Sequence, residues 1–131
     1  WPEPPVRAGM PRFTGREGRP GPSVLRRYAE PFRSRGSARA VACFARHIRR
    51  SRRWLQELWR RRGNLSSTPA LLLWGMDDPV FGPRELARWG DVLDDPCVVR
   101  LPGTGHFVPE ERPSTTVERT VGWLGAAIGL E

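Results

Sequence analysis

Two ionisable residues, Asp78 and His106, each stand just past the end of a short apolar run, 28 positions apart. The first run is Thr68-Pro69-Ala70-Leu71-Leu72-Leu73-Trp74-Gly75-Met76-Asp77-Asp78. Ala70 to Trp74 is unbroken and apolar, too short for a typical helix, and fits a strand buried on both faces. Gly75 lets the chain turn, and Asp78 emerges past the strand's end. The second run is Cys97-Val98-Val99-Arg100-Leu101, followed by Pro102-Gly103-Thr104-Gly105 and then His106. A carboxylate beside an imidazole holds one ring nitrogen's proton and favours the imidazolium that forms. The other nitrogen is then a base toward a nucleophile or water. Taken singly, each residue has a plainer reading. Asp78 precedes Pro79 and suits an ordinary turn, Asp77 is an equal candidate, and an isolated histidine is more often structural.

Parallel strands joined by a crossover helix would bring the two residues to one edge, where open α/β sheets build their sites. Between them, Pro79 to Gly82 reads as a loop and Pro83 suits the first turn of a helix whose apolar face includes Leu86, Ala87 and Trp89. After His106, Pro113 precedes a last helix. Thr115 and Glu118 have the spacing of a capping box, and Val117, Val121, Leu124 and Ile128 line one face.

Upstream, Ala38 to Arg49 carries Val41, Phe44, Ala45 and Ile48 at helical spacing, with Ser37 as its cap. A second helix follows Ser51, with Trp54, Leu55, Leu58 and Trp59 on one side, Arg60-Arg61-Arg62 at its end, and Gly63-Asn64 as its stop. Val24 to Tyr28 reads as a short helix ended by Pro31. Trp1 to Ser23 is rich in Pro, Gly and Arg and reads as irregular or disordered. The order predicted is helices, strand, helix, strand, helix. Its second part is α/β with parallel strands, and two strands alone are not a sheet.

The 131 residues suffice for one domain with a real core. The net charge of +8 is uneven: residues 1–62 hold 17 Arg against 4 acids, residues 63–131 hold 5 Arg against 10 acids, and there is no Lys. A basic half with Tyr28, Phe32, Phe44, Trp54 and Trp59 among its arginines fits a nucleic-acid platform. Their helical spacing fits better a solvated Arg face over an apolar inner face, so a nucleic-acid partner is not favoured. No run of about 18 apolar residues predicts a spanning helix, and no signal-peptide pattern opens the chain. Cys43 and Cys97 lack metal-ligand spacing and read as buried thiols in a cytoplasmic, reduced setting. No metal or cofactor site is expected.

The stretch Leu71-Leu72-Leu73-Trp74-Gly75-Met76-Asp77-Asp78-Pro79-Val80-Phe81, with Gly105-His106-Phe107-Val108-Pro109-Glu110-Glu111-Arg112-Pro113, resembles the C-terminal signature of α/β-hydrolase-fold enzymes. The nearest branch is the haloalkane dehalogenase-like hydrolases, beside the epoxide hydrolases. In those families a W-G-x-x-D turn supplies the triad acid, which falls on Asp78, and a G-H-F/Y turn before an acidic pair supplies the base, which falls on His106. Tyr28 to Phe32 and Ser37 to Ser51 resemble the end of the family's helical cap, and the likeness spans roughly residues 24–125.

The resemblance implies a small apolar substrate, water as co-reactant and no cofactor. In dehalogenase-like members an Asp nucleophile displaces halide and forms an alkyl ester that a His-activated water then cleaves. Epoxide hydrolases open the ring with the same Asp, and ester hydrolases use Ser instead. The resemblance also implies an organisation of 1–23 irregular, 24–64 cap helices and 65–131 the C-terminal part of the hydrolase core. The nucleophile elbow, G-x-S-x-G or its Asp equivalent, is not among these residues. The family places it, with the oxyanion donors and the halide-binding Trp, ahead of the cap, so none of the six Trp here inherits that role. The expectation is a fragment holding acid and base without a nucleophile, inactive alone. A remnant that does not fold stably, with an aggregation-prone sheet edge, is the further alternative.

Overall fold

A computed structural model describes residues 4–32 and 34–129. Two parallel strands, β1 (Leu71–Gly75) and β2 (Cys97–Leu101), pair in register from Leu71 opposite Cys97 to Gly75 opposite Leu101. Equal register places both C-terminal ends at one edge, with Met76 donating to Leu101 O at 3.0 Å to extend the pairing by one residue.

Helix α5 (Pro83–Gly90) connects the strands. Pro83 opens it, and Leu86 is its buried residue. The one-turn helix α6 (Val108–Glu111) and the long α7 (Pro113–Ile128) follow β2, and both pack against β1. The sequence predicts β1 buried on both faces. Leu71 to Trp74 are instead half-buried and only Gly75 is fully covered, because two strands offer little area for covering layers.

The helix predicted after Thr115 begins at Pro113, so Thr115 already lies inside the first turn and the capping box does not form. Val117 and Val121 of its apolar face are 62% and 64% exposed. The side chain of Ile128 lies outside the described residues.

Among the described residues, four α-helices lie ahead of the strands: α1 (Pro4–Phe13), α2 (Pro22–Ala29), α3 (Arg35–Arg50) and α4 (Arg52–Arg60). The reading of residues 1–23 as irregular needs correction, since α1 and the start of α2 fall there. Pro4 and Pro22 sit in opening turns, where proline costs no hydrogen bond, so Pro-richness is a poor sign of disorder here. Residues 1–3 lie outside the description.

The cap of α3 is Ser34, whose Oγ accepts from the Ser37 amide at 3.1 Å, rather than Ser37 itself. α4 runs into a 3-10 segment, Arg61–Leu65, instead of stopping sharply at Gly63. Phe44 and Trp54 are 68% and 62% exposed, and Ile48, Leu55 and Leu58 are exposed as well. The inner face expected from their spacing is therefore uncovered among the described residues; the Val41 and Ala45 side chains lie outside them. Cys97 is exposed and Cys43 half-buried, so neither is the buried thiol expected.

Trp59 joins the helical layer to the α/β part. It meets Trp89 of α5 edge to face at 5.6 Å, and the guanidinium groups of Arg62 and Arg88 lie 4.7 and 4.5 Å from its ring centre. Among the described residues, Met10, Ala29, Leu86 and Leu93 are the buried apolar ones. Leu86→Ala is expected to cost about 2–4 kcal/mol, read as a lower urea midpoint at unchanged slope.

Candidate active site

β1 ends at Gly75, and the turn that follows delivers Asp78. Its Oδ1 accepts the Val80 amide at 2.7 Å, the self-bonding turn that aspartate favours before a proline. Its Oδ2 lies 2.9 Å from His106 Nδ1. An ionised carboxylate has no proton to give, so this bond places a hydrogen on Nδ1, and in the neutral ring Nε2 then carries the lone pair. The Asp78 side chain is 8% exposed and that of His106 31%, so the pair is sheltered at the acid and open at the base. Burial works against the Asp78 carboxylate, but the Val80 amide, the His106 side chain and the Phe81 amide together outweigh it and hold its pKa below the ordinary value. Asp77, the rival candidate, is exposed and uses its amide to bond Thr104 O at 2.9 Å.

The turn carrying His106 is held on two sides. Gly103 takes φ of +70°, which favours glycine. Thr104 is fully buried, and its Oγ1 accepts from Arg112 Nε at 3.1 Å. Gly105 is pressed between β1 and the chain after α1. A methyl group on it would overlap the Phe13 carbonyl and the Gly15 amide, and one on Gly75 would overlap the Gly105 carbonyl. The His106 amide donates to Phe13 O at 2.7 Å. Glu111, buried at the end of α6, accepts from the Gly15, Gly105 and Phe107 amides at 2.7, 2.8 and 3.1 Å. Arg112 pairs with Glu17, completing the attachment of residues 13–17 to this turn.

The imidazole sits among aromatic rings. Phe107 meets it edge to face at 5.2 Å, Phe81 tilts over it at 5.6 Å, and Phe13 lies at 6.3 Å. Phe81 is fixed from below by Trp74, whose indole N–H donates to Phe81 O at 2.7 Å. Phe81 also lines a cavity of about 400 Å³ with Trp59, Trp74, Glu85, Arg88 and Trp89. Tyr28 of α2 reaches across to donate to Glu110 Oε1 at 2.6 Å. Among the described residues, no group of three or more His, Cys, Asp or Glu could hold a metal ion, and no helix is long and apolar enough to cross a membrane.

Sequence reasoning brings Asp78 and His106 together as the structure does. It misses Phe13, Gly15, Thr104 and the separate role of Glu111. The one available signal was the small, polar stretch Thr14-Gly15-Arg16-Glu17-Gly18, whose glycines mark close backbone approach rather than disorder.

Comparison with known proteins identifies the fold family. Residues 8–113 match the alpha/beta hydrolase fold family. The chain belongs to that family. It is 33% identical over 101 residues to "Haloalkane dehalogenase 2" of Mycobacterium tuberculosis and of Mycobacterium bovis, covering 76% of this chain and 35% of theirs. It is 30% identical over 105 residues to the "Uncharacterized hydrolase YugF" of Bacillus subtilis, covering 74% of this chain and 33% of that one. The chain thus spans about a third of the length of the curated relatives it matches.

Among solved structures it is similar to a serine hydrolase involved in carbazole degradation, CarC. The TM-score is 0.75 at 15% identity, over 95% of this chain and 47% of the other. A bacterial membrane phospholipase A gives 0.60 at 25% identity, over 95% and 38%. The two-strand unit is therefore the α/β-hydrolase fold seen in part, as the sequence predicts.

Because the folded Asp78 titrates below its unfolded value, its stabilisation is complete above about pH 5, where the unfolded carboxyl is almost fully ionised. It is lost as pH falls through the lowered folded value. Urea unfolding of the chain and of Asp78→Asn should therefore differ near neutrality and converge in acid below that value.

Proposed function

We propose that this chain supplies the acid and the base of a hydrolase triad, His106 as the base and Asp78 as its orienting acid, for an enzyme of the haloalkane dehalogenase-like branch. The observation that carries the reading is the 2.9 Å contact between Nδ1 and Oδ2, with Nε2 left open. The nucleophile comes from polypeptide outside these 131 residues, which is in keeping with the third of its relatives' length that the chain spans. An aspartate in that position displaces halide from carbon: a C–O bond forms, the C–halogen bond breaks, and halide leaves with the electron pair. A water then gives its proton to His106 Nε2 as its oxygen attacks the ester carbonyl, and Asp78 balances the imidazolium. The carboxylate nucleophile is regenerated, the alcohol departs, and the proton leaves the imidazole. An epoxide or an ester is the alternative substrate for the same pair.

The substrate is small and apolar. Phe13, Phe81 and Phe107 around the imidazole support this, since aromatic walls favour an apolar occupant over a charged one. Residues 24–64 form the cap and residues 65–131 the end of the core. The Tyr28–Glu110 bond and the cavity shared by Trp59 and Phe81 support a cap lying against the site.

The test compares this chain with a version extended upstream to the length of its relatives, on haloalkanes, epoxides and p-nitrophenyl esters. The extended enzyme should turn over at least one class and the 131-residue chain none. His106→Ala in the extended enzyme should let halide leave once and then stall, with the alkyl group visible as added mass, while steady-state turnover falls by about 10³-fold or more. Turnover by the short chain that His106→Ala abolishes would overturn the division of labour proposed.

A further inference from the structure

We infer that Glu111 is a positioning residue for His106: its buried carboxylate fixes the three consecutive amides of Gly105, His106 and Phe107, and so decides where the imidazole stands. The inference rests on His106 being the base. Two of the three amides are held directly, Gly105 on Oε2 at 2.8 Å and Phe107 on Oε1 at 3.1 Å. The third is held through an intermediary. Oε2 also accepts the Gly15 amide at 2.7 Å, and the chain so anchored presents Phe13 O to the His106 amide at 2.7 Å. One carboxylate thereby joins a segment some ninety residues upstream to both flanks of the base.

Several features make this more than packing. Bonds from backbone amides to an ionised carboxylate are shorter and about twice as strong as neutral ones. Glu111 spends its acceptor sites on the turn itself, whereas Arg112 beside it engages Glu17 and Thr104. The fit allows no slack, since a methyl group on Gly18 would overlap the Glu111 side chain. With the backbone on both sides of His106 fixed, the ring's remaining freedom is its own torsions. The Asp78 bond and the neighbouring rings restrict those. Orientation of this kind is what a base needs to meet a reacting proton within hydrogen-bond reach.

Glu111→Gln is the informative variant. It keeps the volume, but its single carbonyl oxygen cannot serve both sides, and its amide N–H would face the Phe107 or the Gly15 and Gly105 donors. The chain has two histidines, so a His47→Gln background leaves His106 as the one imidazole. Nitrogen NMR of that ring then reports the share of the Nδ1–H form and the deshielded proton held by Asp78. Glu111→Gln should lower that share and broaden or remove that proton while the far-ultraviolet circular dichroism is retained. A folded Glu111→Gln with unchanged ring nitrogens would overturn the inference.

Asp78→Asn separates this claim from the one beneath it. If Asp78→Asn also leaves the ring unchanged, the acid–base pair itself is wrong. If it moves the ring and Glu111→Gln does not, only the role of Glu111 fails. Should Glu111→Gln not fold, the unaltered chain decides. The Gly15, Gly105 and Phe107 amides should exchange at least about tenfold more slowly than unbonded loop amides, and exchange at the unprotected rate would overturn the inference.

Discussion

Two backbone turns touch with no side chain between them, and the site depends on that contact. Gly75 ends β1 against the carbonyl of Gly105, and the Asp77 amide bonds Thr104 O in the same place. Parallel pairing in register brings both strands to one edge, but register alone leaves the two turns a side chain apart. The absence of a Cβ at Gly75 removes that last separation. Asp78, three residues on, then meets His106, one residue past Gly105. Asp78 and His106 are thus coupled through main chain, whose stiffness makes the 2.9 Å contact a property of the fold rather than of two mobile side chains.

On its far side the same turn meets the chain that leaves α1. Phe13, Gly15 and Glu17 all contact residues 103–112, so His106 is clasped between the first and the last parts of the chain. A carboxylate is suited to the centre of such a clasp. It accepts several amides at once, and buried amides are costly to leave unbonded. The arrangement also shows why so small a unit is tightly bonded at one sheet edge while its apolar faces remain open. Its long-range bonds concentrate on the two turns, whereas Phe44, Trp54, Val117 and Val121 stand uncovered. Those faces are of the kind that a larger α/β-hydrolase domain covers with further strands and helices, and the chain spans only a third of its matched relatives.

The charge division follows the same boundary. Residues 1–62 are strongly basic and residues 63–131 acidic overall. The contacts across the boundary are specific rather than diffuse: Tyr28 with Glu110, Trp59 with Arg88 and Trp89, Glu17 with Arg112. Glu57 bonds Arg60 and Arg61 on an exposed helix face, and such surface pairs contribute little. The Arg-rich composition therefore acts mainly as a solvated face, while a few aromatic and carboxylate groups join the two parts.

What the linear chain determined by itself was the α/β order, the parallel pair and the candidates Asp78 and His106. Short apolar runs ended by glycine are local patterns, and a strand end followed by an ionisable residue is legible without any fold. The start of α7 and the cap of α3 were misplaced by two or three residues because proline and serine compete locally for the same role. Read singly, Asp77 and Asp78 are equal candidates and the family resemblance points to Asp78, but the tertiary structure alone shows which side chain faces a turn 28 residues away. Only it turned a Gly-rich and Pro-rich opening into a support for the His106 turn, and an acidic pair into two residues with different partners. Composition records what a segment lacks for a core of its own, not what a distant carboxylate will hold in place. The physical reason is the same in each case: hydrogen bonds across ninety residues leave no periodicity in the sequence that makes them.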